Sequence, residues 1–91
     1  MKISAHSKFL SVTVKSLKET LFEGNAVAVS SHNEKGTFDI LPQHANFICL
    51  INRGVTVHQE NHSDIRIPLE SAVLKVRGDK VSILIDIKST S

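Results

Sequence analysis

The stretch VSILIDIK, residues 81–88, carries the pattern that decides the fold. A β-branched residue recurs at every second position, with mostly polar residues between. In an extended strand this alternation puts one set of side chains on each face, and Val and Ile suit a half-buried pleated surface. The stretch therefore predicts a β-strand with one face on a core. The inward set comprises Val81, Ile83, Ile85 and Ile87, alternating with Ser82, Leu84, Asp86 and Lys88.

The same period of two recurs in the upstream runs 10–15, 26–30 and 64–69. Turn-forming residues separate the runs, and we interpret them as turns at EGN (23–25), NEKG (33–36), RG (53–54), ENHSD (60–64) and RGDK (77–80). The segment 14–21, VKSLKETL, is too short for a stable helix, so we interpret it as a strand end, a turn and another short strand. Short alternating strands of this kind predict an all-β sandwich or barrel, with Pro68 at an edge or a bulge.

Composition limits the possible functions. The chain has 91 residues, 41% of them hydrophobic and 22% charged, which fits one small folded domain. The net charge is +2, the basic residues form no run and there is no Trp or Tyr, so we expect no nucleic-acid partner. No apolar run reaches the ~20 residues of a membrane span, and we expect no signal peptide and no membrane insertion. We therefore expect a soluble, cytosolic protein.

A search for chemistry finds little. His58 and His62 flank a predicted turn, where a spacing of four does not bring ligands together, and we expect no metal. Cys49 lies five residues after His44, which in a strand puts the two on opposite faces. No Gly-rich phosphate loop or nucleophile elbow occurs. We expect no catalytic residue and no cofactor, and interpret the chain as a binding or structural module.

Two neighbouring segments are candidates for a partner contact. In GTFDILPQHANF (36–47), Asp39 points away from Phe38 and Ile40 if the segment is a strand, and faces either solvent or a cationic partner. His44 follows Pro42 and either stabilises the corner or acts as a pH switch. The next run is apolar on both alternating faces, which implies a partner on the outside: Phe47, Ile48, Cys49, Leu50 and Ile51.

The first of these segments resembles a signature of the ε subunit of F-type ATP synthases, called δ in mitochondria. The matching residues run from Gly36 to Ala45. LFEGNAVAVSS (21–31), INRGVTVH (51–58) and SAVLKVRGDKVSILID (71–86) resemble other segments of this family in the same order, so that the likeness extends from about Phe9 to Asp86.

The resemblance implies a flattened β-sandwich of about ten short, mostly antiparallel strands. It implies a non-catalytic subunit of the central stalk, on the cytoplasmic face of the bacterial inner membrane. Its partners would be the γ subunit and the polar loops of the membrane c-ring, and it would couple ring rotation to the catalytic head. The contact residues implied are Thr37, Phe38, Asp39, Ile40, Leu41, Pro42, Gln43 and His44.

The resemblance also bears on the domain organisation of the chain. The family's C-terminal helical hairpin, an inhibitory arm that in some members binds ATP, has no counterpart in residues 1–91, so we expect a single domain without it. The alternative to a rotor subunit is a free-standing β-sandwich that binds a peptide or a carbohydrate. A nonspecific nucleic-acid binder and a hydrolase are the remaining alternatives.

Overall fold

The computed structural model describes residues 9–42 and 46–85, which form eight β-strands and no helix. The predicted all-β fold is confirmed, with eight strands in the described ranges against the expected ten or so. The end of the decisive stretch, residues 86–88, lies outside those ranges. The strands are β1 (Leu10–Lys15), β2 (Thr20–Ala26), β3 (Ala28–Asn33), β4 (Gly36–Ile40), β5 (Phe47–His58), β6 (Ile65–Ile67), β7 (Ser71–Arg77) and β8 (Lys80–Ile85).

All eight strands belong to one hydrogen-bonded sheet in the order β2-β1-β8-β7-β5-β3-β4, and β6 pairs with β5. The described strand pairs are antiparallel except β1 and β8, which run parallel. One hydrophobic cluster unites residues from both ends of this path, because the sheet closes on itself as a β-sandwich. The largest fully buried side chains are Leu10, Ile51, Leu74, Ile83, Val12, Val14, Val29, Val57, Val76 and Val81.

A β-bulge in the middle of β5 divides the sheet into two halves. Residues 47–52 pair with β7, and residues 52 and 55–58 pair with β3, so that Arg53 and Gly54 oppose no residue of β3. Their φ angles are 66° and 114°, and the buried Ser31 hydroxyl donates to the Gly54 carbonyl oxygen at 2.8 Å. The sequence interpretation of RG as a turn is therefore wrong. Glycine is common in β-bulges as well as in turns. At Arg53 and Gly54 the strand bends at a bulge and then continues.

The chain passes from one half of the sheet to the other at Val27, a bend between β2 and β3. The interpretation of EGN as a turn is also wrong, since residues 23–25 lie inside β2. Gly24 lies there against the ring of Phe22, which a Cβ would approach within 3.2 Å. Glycine is present here because it allows close side-chain packing. The sequence pattern alone does not distinguish this role of glycine from its role in a turn.

The remaining turn predictions agree with the structure. Residues 34–35, 60–61 and 78–79 are turns, and a bend at 17–18 separates β1 from β2. Pro68 directly follows β6, a three-residue strand whose described partner is β5. This position agrees with the prediction of an edge, because proline cannot donate to a ladder.

Candidate functional site

The outer surface of β5, β7 and β8 carries a row of exposed apolar side chains. Leu50 lies opposite Val73, and Val73 lies opposite Leu84 on the next strand. These three side chains are 69%, 38% and 41% exposed. Ile48, two residues from Leu50, is 65% exposed, and Leu17 from the β1–β2 bend is 82% exposed. We call these five residues the apolar face: Leu17, Ile48, Leu50, Val73 and Leu84.

The apolar face is shaped around a shallow depression of ≈ 220 Å³. Leu17, Leu50, Val73 and Leu84 line it, together with β7 and β8 residues. Ser16 holds the backbone of the bend that carries Leu17. The Ser16 hydroxyl accepts from the backbone N–H of residues 18 and 19 at 3.1 and 3.2 Å. A depression of this size and lining suits an apolar side chain of a protein partner.

The run 47–51 is apolar on both faces, as predicted, but the two sets have different roles. Ile48 and Leu50 point outward and belong to the apolar face. Ile51 is 1% exposed and Cys49 is partly buried against the core, so neither presents a partner surface. Phe47 follows the inward phase but remains 39% exposed at the strand end. The pattern of the sequence does not tell the inward set from the outward one, since both are apolar.

The segment 37–44 also divides by strand phase. Ile40 is buried and Phe38 packs on the core, so these two predicted contact residues support the fold from inside. Thr37, Asp39 and Leu41 are exposed, and Pro42 is partly buried. Asp39 points opposite to its neighbours, as predicted. The remaining predicted contacts, Gln43 and His44, lie outside the described residues.

Asp39 belongs to a chain of hydrogen bonds on the outer surface of β3, β4 and β5. The Ser30 hydroxyl donates to Asp39 Oδ1 at 2.6 Å, and Ser30 Oγ lies 2.8 Å from His58 Nε2. On the other side of the ring, His58 Nδ1 lies 3.0 Å from Asp64 Oδ2. We call these four residues the polar network. They tie the edge strand β4 and the loop before β6 to the middle of the sheet.

The polar network contains a carboxylate, an imidazole and a hydroxyl in the order used by serine hydrolases, but its hydrogen bonds oppose that chemistry. Ser30 gives its one hydroxyl hydrogen to Asp39, so Ser30 Oγ can only accept from His58. The Ser30 hydroxyl hydrogen therefore does not point at His58 Nε2, the nitrogen that would have to take it in a serine hydrolase. Ser30 also lies within a regular strand, which lacks the strained elbow of a nucleophile.

His58, which the sequence places beside a predicted turn, belongs to the polar network. His58 is the last residue of β5, and its side chain is 32% exposed. Ser30 and His58 are 28 positions apart, so the strand register alone brings them together. The apolar face contains further residues that the sequence analysis did not assign, namely Leu17, Val73 and Leu84. Leu84 alternates with the inward residues of 81–88 and lies among the mostly polar, outward positions. An apolar residue at an outward position could have identified Leu84 from the sequence.

Cys49 has the properties of a structural thiol. Partial burial raises its pKa above the ordinary value, partly offset by a hydrogen bond with the Asn33 side chain. A raised pKa leaves less thiolate at neutral pH and lowers nucleophilicity. Within residues 9–42 and 46–85, no group of three or more His, Cys, Asp or Glu side chains is placed to hold a metal ion. The same ranges contain no helix long and apolar enough to span a bilayer.

Comparison with known proteins gives one family. The family described as "ATP synthase, Delta/Epsilon chain, beta-sandwich domain" matches residues 9–88. Among curated proteins, the ATP synthase epsilon chain of Sulfurovum sp. (strain NBC37-1) is 27% identical over 67 residues. That alignment covers 72% of this chain and 52% of the Sulfurovum protein, so the chain spans about half the length of this relative.

Two solved structures share the fold. A chain in the Euglena gracilis mitochondrial ATP synthase, in an OSCP/F1/c-ring assembly, superposes with a TM-score of 0.82 at 13% identity. That match covers 90% of this chain and 53% of the other. A chain in the central stalk and c-ring of the Tetrahymena thermophila mitochondrial ATP synthase gives a TM-score of 0.68 at 11% identity, covering 92% and 67%.

Proposed function

Because the chain belongs to the family of ATP synthase delta/epsilon chain β-sandwich domains, we propose that it is a subunit of the central rotor stalk of an F-type ATP synthase. In this role it couples rotation of the membrane c-ring, through γ, to ATP synthesis or hydrolysis in the catalytic head. The subunit itself transmits force and catalyses no reaction. It is peripheral to the membrane, on the cytoplasmic face of a bacterial inner membrane.

The single observation that carries this proposal is the apolar face. A two-layer protein has no internal use for apolar side chains on an outer surface, and Ile48 and Leu50 are 65% and 69% exposed. Covering each of them contributes roughly 1–2 kcal/mol to association. In the proposed complex the apolar face packs on γ, and the ≈ 220 Å³ depression receives an apolar side chain of γ.

The proposed contact with the c-ring uses residues 37–44. In its described part, the outward side chains are Thr37, Asp39 and Leu41, and Leu41 is 58% exposed. The polar network holds Asp39 through Ser30, so the carboxylate is positioned by the sheet. A positioned acceptor beside an exposed leucine suits a contact with a polar loop of the ring.

Co-expression of the chain with the γ subunit from the same genome, followed by size-exclusion chromatography, tests the proposal. We expect the two to co-elute. Ile48→Glu should weaken the complex by roughly 100-fold or more, because it places an unpaired carboxylate in an apolar contact. Its matched control is Arg66→Glu, a charge change at an exposed position of β6 on the other half of the sheet.

Far-UV circular dichroism and thermal unfolding would show that both variants fold. Co-elution with γ that Ile48→Glu and a second variant, Leu50→Glu, leave unchanged would refute the proposed contact. Failure of the unmodified chain to bind γ would refute the rotor function itself.

A further inference from the structure

The apolar face has a basic margin along its strands. Ile48 lies opposite Lys75, which lies opposite Ser82 on β8. One row further from the apolar depression, Arg77 lies opposite Lys80. Lys75, Arg77 and Lys80 are all exposed and follow the outward phase of their strands. We call these three residues the basic margin.

The carboxylates near the basic margin are few. The outward positions of β7, β8 and the first half of β5 contain no Asp or Glu. Asp79 lies in the turn between Arg77 and Lys80, and Glu23 is on the edge strand β2, opposite Thr13. Three strand spacings separate Glu23 from Lys75, roughly 14 Å.

A second, shallow depression of ≈ 420 Å³ joins the basic margin to the apolar face. Ile48, Lys75 and Arg77 line it, together with Phe47 and Asn46. Lys75 and Arg77 thus border the same depression as Ile48 of the apolar face. A partner that covers Ile48 would bring its neighbouring side chains against those cations.

We infer that the segment of γ that covers the apolar face carries carboxylate side chains that pair with Lys75, Arg77 and Lys80. The inference rests on the proposed function, since it assigns the chemistry of the partner at the same face. Consecutive outward rows of a strand lie about 7 Å apart. The carboxylates therefore lie about 7–14 Å from the γ side chain that fills the depression, a distance of one to three turns if the γ segment is a helix.

A protein partner explains this arrangement better than a lipid surface. The apolar side chains surround a depression in the middle of three paired strands, where a single protruding side chain fits. Charges at the margin of such a contact mainly set the association rate and its dependence on salt. The basic margin therefore serves to orient γ, and the apolar face supplies most of the affinity.

The test is a triple charge reversal, Lys75→Glu/Arg77→Glu/Lys80→Glu, measured by binding kinetics with purified γ at 50 and 300 mM salt. We expect about a tenfold loss of affinity at low salt, mostly in the association rate, and a much smaller loss at high salt. The control is Arg66→Glu, which reverses an exposed cation of β6 away from the apolar face and should leave binding unchanged.

The outcomes separate this inference from the proposed function. Unchanged affinity and salt dependence in the triple variant, with binding lost in Ile48→Glu, would overturn the inference and leave the γ contact standing. If neither the triple variant nor Ile48→Glu affects γ binding, the inference and the proposed contact through the apolar face both fail. Vesicles of phosphatidylglycerol test the lipid alternative. Binding of the chain to them at 150 mM salt that the triple variant loses, with γ binding unaffected, would also overturn the inference.

Discussion

Two regions of the sheet's outer surface share the same alternation of inward and outward side chains but differ in the chemistry of the outward ones. On β5, β7 and β8, the outward positions hold Ile48, Leu50, Val73 and Leu84, which no described residue covers. On β3, β4 and the end of β5, the outward positions hold hydroxyl, imidazole and carboxylate groups that bond to one another. On the first surface the apolar side chains stay exposed to solvent, whereas on the second the polar side chains form hydrogen bonds with one another. The side chains at the outward positions of a strand therefore distinguish a surface satisfied within the chain from one that stays exposed.

The sharpest way to break this comparison uses two adjacent residues of β5. Ile51→Ala should lower the free energy of unfolding by about 3 kcal/mol, because Ile51 is 1% exposed and its loss leaves a cavity. Leu50→Ala should change it by less than about 0.5 kcal/mol, since Leu50 is 69% exposed. Urea unfolding followed by circular dichroism measures both. Similar losses in the two variants would mean that the outward and inward phases are wrongly assigned.

The bulge that separates the two surfaces gives the next effect. Gly54→Ala should cost about 2–3 kcal/mol in the same assay, because its φ is 114° and a Cβ would lie 3.2 Å from the Ile67 carbonyl oxygen. The control is Gly78→Asn at a turn with φ of 61°, where nothing lies within 4 Å of a Cβ. Asparagine tolerates this conformation, so the control should cost well under 1 kcal/mol. A Gly54→Ala variant as stable as the control would show that the bulge is adaptable.

The smallest effect concerns the polar network. Ser30→Ala removes the oxygen that links Asp39 to His58 and should cost about 1 kcal/mol. Ser82→Ala, at an exposed position on the other surface, should cost less than about 0.5 kcal/mol. Thermal unfolding measures both. In a double-mutant cycle, Ser30→Ala and Asp39→Ala should be less than additive, since each removes the same hydrogen bond. Strict additivity would indicate that the bond contributes nothing in solution.

The sequence predicted the features that depend on local pattern. Alternation in residues 81–85 correctly assigns both faces of β8, and the break in 14–21 is where the chain bends. The glycines misled the interpretation at Gly24 and Gly54, because a turn, a bulge and a close ring contact all favour glycine. The polar network required the register between β3, β4 and β5, which no local pattern encodes. Of the five residues of the apolar face, the sequence assigned two, Ile48 and Leu50.

The parallel pairing of β1 with β8 has a consequence for biosynthesis. Val12 lies beside Val81, so one edge of the first strand has no partner until nearly seventy further residues have been made. Because β1 meets β2 soon after synthesis, that hairpin must wait with an open edge while the ribosome adds the rest of the sheet. Folds dominated by such distant pairings close in milliseconds to seconds, whereas translation adds about 5–20 residues per second. The nascent chain therefore spends several seconds as an incomplete sheet with an unpaired strand edge, a feature typical of chaperone substrates.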